Sequence, residues 1–139
     1  MPDPGEPDRH QRKKSRRWRD KFREAFRGVK LGVRGHSSFF VHFFFAALAL
    51  LTALLLECEL LEWCLIIGCV GLVMTLELVN SAIETLFHGL DAESKNRIHG
   101  CLDIAAGAVL VASLTAACIG TLIFGRHILM LLRIINNEG

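Results

Sequence analysis

Three stretches without a single Lys, Arg, Asp or Glu dominate this chain: residues 39–56, 63–76 and 104–124. Roughly 20 apolar residues cross a bilayer core, so the first and third are membrane spans by length. Continued to Phe87, the middle run reaches about 37 Å of helix at 1.5 Å per residue, a span with a charged end. Lipid offers the backbone no hydrogen-bond partner, so each span must be helical. Twelve of the sixteen Lys and Arg lie before residue 36, leaving four for the rest of the chain. This joins a basic head to an apolar body. It excludes a soluble dinucleotide-binding enzyme, a disulfide-stapled secreted domain and a solenoid, and leaves a small integral membrane protein.

The expected architecture is all-α: an N-terminal interfacial amphipathic helix plus three transmembrane helices in one membrane domain, residues 15–139. Residues 1–14, with Pro2, Pro4 and Pro7 among charges, read as a disordered basic tail. From 15 to 35, Trp18, Phe22, Ala25, Phe26, Val29 and Val33 recur at three- and four-residue steps with Arg and Lys between them. That is the pattern of a helix lying in the headgroup region over anionic lipid. A basic segment abutting a span needs no nucleic-acid partner. The spans are expected at 39–56, 60–89 and 102–125.

The basic head places the N-terminus in the cytoplasm by the positive-inside rule. The first connection, around Glu57, Glu59 and Glu62, has no positive charge and faces outward; the second carries Lys95 and Arg97 and returns inward. Arg126 and Arg133 mildly oppose this arrangement. The first apolar run is too long and starts too late for a signal peptide, and no clear cleavage site follows it. Residues 128–135 either extend the third span or lie on the outer surface.

Ionisable groups inside membrane helices cost roughly 2.5–3.5 kcal/mol on insertion scales, which makes them functional candidates. Glu77, Asn80 and Glu84 sit at i, i+3 and i+7 and share one helical face. Glu77 lies about 21 Å along the helix from Trp63, and Glu84 is two turns further, at the cytoplasmic boundary. Asp103 opens the third span on that side. Carboxylates gathered at one interface, beside cationic segments, can hold Mg²⁺ together with substrate phosphates, or supply a general base. The combination points to phosphoryl transfer to a lipid hydroxyl, with Glu77 and Glu84 dividing the base and metal roles. Interfacial contact with headgroups is the bland reading of Glu84 and Asp103. A transporter or channel fits less well, because its charges should run across the bilayer. No Walker A motif, no G-x-G-x-x-G and no H-R-D loop is present.

Other features carry structure rather than chemistry. Ala108, Ala112, Ala116 and Gly120 recur every four residues, a seam that lets helices approach closely. Cys58, Cys64, Cys69, Cys101 and Cys118 show no C-x-x-C spacing. His42 reads as a packed or interhelical hydrogen-bonding residue, and Trp18 and Trp63 as interface anchors.

Glu77-Leu-Val-Asn80-Ser-Ala-Ile-Glu84, followed by Asp103-Ile-Ala-Ala-Gly-Ala-Val-Leu110, resembles the bacterial integral-membrane diacylglycerol kinase family, which includes undecaprenol kinases. Phe26-Arg-Gly-Val-Lys30 resembles that family's amphipathic-helix motif, and the likeness covers about residues 17–125. The resemblance implies a homotrimeric bundle in the bacterial inner membrane, with active sites between subunits at the cytoplasmic face. It implies transfer of the γ-phosphate of Mg-ATP to a lipid alcohol, diacylglycerol or undecaprenol. By resemblance Glu77 is the base and Asn80 orders the site. Glu84 binds metal and nucleotide, Asp103 and Glu93 belong to the nucleotide site, and Lys95 and Arg17 are further cationic candidates there. Three positions depart from the family pattern. Leu102 replaces a Lys facing the phosphates, His36 replaces a metal-binding carboxylate, and His88 replaces an Asp. His36 remains a candidate ligand, and a catalytically degenerate scaffold or lipid- or nucleotide-binding protein is the alternative.

Overall fold

The structure of the chain, a computed structural model, describes residues 18–35 and 37–138. The expected tail, Arg17 and His36 lie outside the described residues. Five helices and no strand occur among them: α1 (Trp18–Gly35), α2 (Ser37–Leu55), α3 (Leu60–His88), α4 (Ala92–Ile98) and α5 (Gly100–Glu138).

Helix α3 and helix α5 are long and apolar enough to cross a membrane; the apolar part of α2, Phe39–Leu55, is shorter. Packing explains how α2 accompanies them. His42 of α2 lies beside Glu77 of α3, whereas Ala53 packs with Ile66 nearer the connecting turn. The two helices therefore run antiparallel in steady register over the same depth. The threonine hydroxyls in these helices are satisfied locally: Thr52, Thr75, Thr85, Thr115 and Thr121 each donate to the carbonyl four residues earlier. In an apolar medium that removes the cost of an unpaired O–H.

The turn from α2 to α3 is a Schellman stop. Cys58 N–H donates to Ala53 O at 3.1 Å and Glu57 N–H to Leu54 O at 3.3 Å. Glu57 holds the left-handed position with φ 50°, where glycine is usual. The reversal directs Cys58 into a core with Ala53, Ile66 and Ile123.

The main packing surface joins α3 to α5. On α5 the buried residues are Ala105, Val109, Ala112 and Ile123, with Ala116 and Ile119 partly covered. Steps of three and four are those of a coiled-coil seam. Of the expected four-residue stripe, Ala112 and Ala116 lie on this contact with α3, whereas Ala108 is exposed within the single chain. A straight α-helix gains about 40° over four residues, so a strict four-step stripe drifts off the contact line.

Helix α1 touches the bundle near its C-terminal end. A Cβ at Gly32 would lie 2.7 Å from a Leu78 methyl, so the backbones pass closely there. Trp18, Phe22, Phe26 and Val29 remain exposed, leaving an apolar face without a protein partner. Two boundaries differ from expectation. The second connection contains the short helix α4, and α5 starts at Gly100 and runs on through residues 128–135.

Candidate functional site

Glu77 is the most buried charged side chain among the described residues, at 2% exposure. Its Oε2 lies 3.8 Å from His42 Nε2, so the interhelical reading of His42 acquires a specific partner. One turn along α3, Asn80 is also buried, and its Nδ2 donates to Glu84 Oε1 at 2.8 Å. The Asn80 Oδ1 and the neighbouring Ser81 Oγ are buried without a hydrogen-bond partner. An orphaned acceptor of this kind costs about 1–3 kcal/mol, and such positions call for an explanation.

Asn80 also lines an apolar cleft of about 340 Å³ between α3 and α5, with Leu76, Val79, Ile83, Cys101, Ile104, Ala105 and Ala108. The same first turn of α5 carries Asp103, which is exposed, and Leu102, which is half-buried. Below the cleft, Lys95 Nζ donates to His88 O at 3.3 Å, a cation placed at the negative end of the α3 dipole. His88 Nδ1 lies 2.7 Å from Glu84 O. The expected residues therefore fall into two groups. Glu77, Asn80 and Glu84 form a continuous face reaching to the end of α3. Glu93 turns outward instead, in an exposed pair with Arg97 at 2.6 Å.

Glu84 and Asp103 carry carboxylate oxygens, the donor type that a hard cation takes. Helix α4 is fixed by its own cap. Asp91 accepts from Ser94 N at 3.0 Å and from Ser94 Oγ at 2.8 Å, which holds its carboxyl below the usual value.

A model of the prokaryotic diacylglycerol kinase family matches residues 23–124. The chain belongs to that family. It is 33% identical over 103 residues to an undecaprenol kinase of Bacillus subtilis (strain 168), a match spanning 74% of this chain and 84% of the relative. No solved structure matches it. Membership places the chain among lipid kinases of the membrane, and the matched segment takes in the whole Glu77-to-Glu84 face.

A second polar cluster was not foreseen. Glu62, read as an outward-facing connection residue, is buried in the first turn of α3. Its Oε1 accepts from Arg126 Nη2 at 2.7 Å and its Oε2 lies 2.9 Å from His127 Nε2. Cys58 adjoins it, and burial, together with the negative charge of Glu62, pushes that thiol up. The signal available in the sequence was the Arg126-His127 pair, which interrupts an otherwise apolar run. Its partner is 64 residues away, and only the antiparallel register of α3 and α5 brings them together.

Proposed function

We propose that the chain is an active kinase that transfers the γ-phosphate of Mg-ATP to a lipid alcohol of the diacylglycerol or polyprenol class. It works as a homotrimer in the bacterial inner membrane, with α2, α3 and α5 spanning and the N-terminus cytoplasmic. The observation that carries this reading is the Asn80–Glu84 hydrogen bond one turn from buried Glu77, beside an apolar cleft at the end of a membrane helix.

Each residue has a distinct task. The acceptor's chain occupies the cleft between α3 and α5, and its hydroxyl passes Asn80, whose free Oδ1 accepts its hydrogen bond on entry, before the O–H turns to Glu77. Glu77 takes the hydroxyl proton as the oxygen attacks the γ-phosphorus, and the bond from that phosphorus to the β–γ bridging oxygen breaks to release ADP. Asn80 Nδ2 fixes Glu84, which with Asp103 would hold the cation. Magnesium, when bound, neutralises charge on the phosphoryl oxygens. Lys95, at the end of α3, lies where a cation assists the nucleotide phosphates. Glu93 and Arg17 complete the nucleotide side of the proposal, and His36 is the remaining candidate ligand.

The full chain in mixed micelles, supplied with Mg-ATP and either lipid alcohol, should release phospholipid. Glu77→Gln should lower that rate by about 10²–10⁴, the usual share of a general base, while nucleotide binding persists. Wild-type protein that binds nucleotide and never turns over would instead support the degenerate scaffold, which the absence of a Lys at Leu102 favours.

A further inference from the structure

The bundle end opposite Glu84 gathers three metal-ligating side chains that the kinase chemistry does not use. Glu62 is twenty-two residues before Glu84 on the same helix, about 33 Å away. Cys58 Sγ, a Glu62 carboxylate oxygen and a His127 ring nitrogen all lie within 4.8 Å of one another. Cys58 comes from the α2–α3 turn, Glu62 from the start of α3 and His127 from α5. Cys58 and Glu62 are buried, and the His127 side chain is 17% exposed.

Glu62 is oriented before any ion arrives. Arg126 occupies Oε1, while the Glu59 backbone N–H donates to Oε2 at 2.9 Å. Oε2 is also the oxygen facing His127 Nε2. The left-handed turn at Glu57 sets Cys58 inward against the same group. Donors around a tetrahedral zinc ion are roughly 3.3–3.6 Å apart, given bonds of about 2.0–2.3 Å. Small side-chain rotations bring the three atoms to that spacing with no movement of helices.

The geometry points to Cys58, Glu62 and His127 as a three-ligand site for a borderline-soft divalent ion, zinc foremost, with the fourth position open to water. One sulfur, one nitrogen and one carboxylate oxygen select zinc over magnesium or calcium, which take all-oxygen shells. Arg126 stays on Oε1 as an outer partner that holds the carboxylate ligand in place. Coordination releases the thiol proton to solvent and ties the α2–α3 turn to α5.

Cobalt(II) is the probe, added to the reduced, metal-free full chain in detergent. One equivalent should give tetrahedral visible bands and a thiolate-to-cobalt charge-transfer band, all removed by zinc. Zinc should raise the melting temperature and shield Cys58, but not exposed Cys64, from alkylation. Cys58→Ser, with four cysteines retained, should abolish the charge-transfer band. His127→Gln should weaken zinc binding about tenfold or more. Glu77→Gln should bind zinc like the wild type, which separates this site from the kinase reading. A missing charge-transfer band in the wild type, or one that survives Cys58→Ser, overturns the proposal. Where a variant does not fold, equal alkylation of Cys58 with and without zinc in the wild type does the same.

Discussion

Leu102 sits in the first turn of α5, next to Asp103 and beside the cleft that Asn80 lines. The family pattern puts an ammonium there, and removal of a donor aimed at developing charge costs about 10²–10³ in rate where that donor is in use. Lys95, seven residues earlier, already donates its Nζ to His88 O. Leu102→Lys is therefore expected to raise kcat/KM for ATP by about tenfold, less than that range because the site is not built around the new amine, in a micellar phosphorylation assay. An unchanged value means that another cation already serves. The polar face shared by Glu77, Asn80 and Glu84 stands out in the sequence because an ionisable group within an apolar run has few reasons to be there. Glu77, Asn80 and Glu84 declared themselves by cost and by helical spacing. Glu62 did not, since it lies at the edge of an apolar run, where charge is ordinary, and the interruption at Arg126 and His127 names no partner. What distinguishes them is a contact across 64 residues, and spacing along one helix carries no record of it.

Helix identity followed from hydrophobic run length, and helix ends depended on local chemistry that run length does not report. Helix α2 ends where Glu57 turns left-handed, a conformation that costs an L-residue roughly 1–2 kcal/mol and glycine nothing. Glu57→Gly keeps both Schellman hydrogen bonds and should stabilise the folded chain by about 1 kcal/mol, after the entropy that glycine gains when unfolded. A higher melting temperature in detergent is the readout. Helix α4 went unseen because seven residues give too little periodicity, yet Asp91 and Ser94 form an ordinary N-cap. Ser94's backbone N–H and hydroxyl lower the Asp91 pKa below its ordinary 3.8. A depressed carboxylate stabilises fully above the unfolded pKa, and that contribution disappears as pH falls through the folded one. Amides of α4 should therefore exchange more slowly in the wild type than in Asp91→Asn at pH 6, and at parity once Asp91 is protonated. On α5, small residues mark close approach, but the three-and-four step decides which of them meet α3.

At the scale of the whole molecule the helices are unequal, and the inequality assigns their work. Helix α3, at 29 residues, spans about 43 Å, whereas α5, at 39, spans about 58 Å. Their antiparallel pairing is clasped at one end by Glu62, Arg126 and His127, so everything after His127 projects beyond the start of α3. Ile128, Leu129, Met130, Leu131, Leu132, Ile134 and Ile135 are all exposed there, on every side of the helix. A segment that buries nothing within the bundle contributes little to its cooperative stability. The family match independently stops at residue 124, before this extension begins. Both observations lead to one expectation: a chain ending at His127 retains the Glu62 clasp and every residue of the Glu77-to-Glu84 face. It should keep its lipid kinase rate, and its stability should change by about 0.5 kcal/mol or less, as for changes that disturb no packed feature. Arg126→Leu is the opposite case, since it strips buried Glu62 of its guanidinium and loosens α3 from α5 at the clasp. Its melting temperature should fall in the same detergent in which the truncated chain melts like the wild type. A truncated chain that melts lower than Arg126→Leu would place the bundle's anchoring in the extension instead of the clasp.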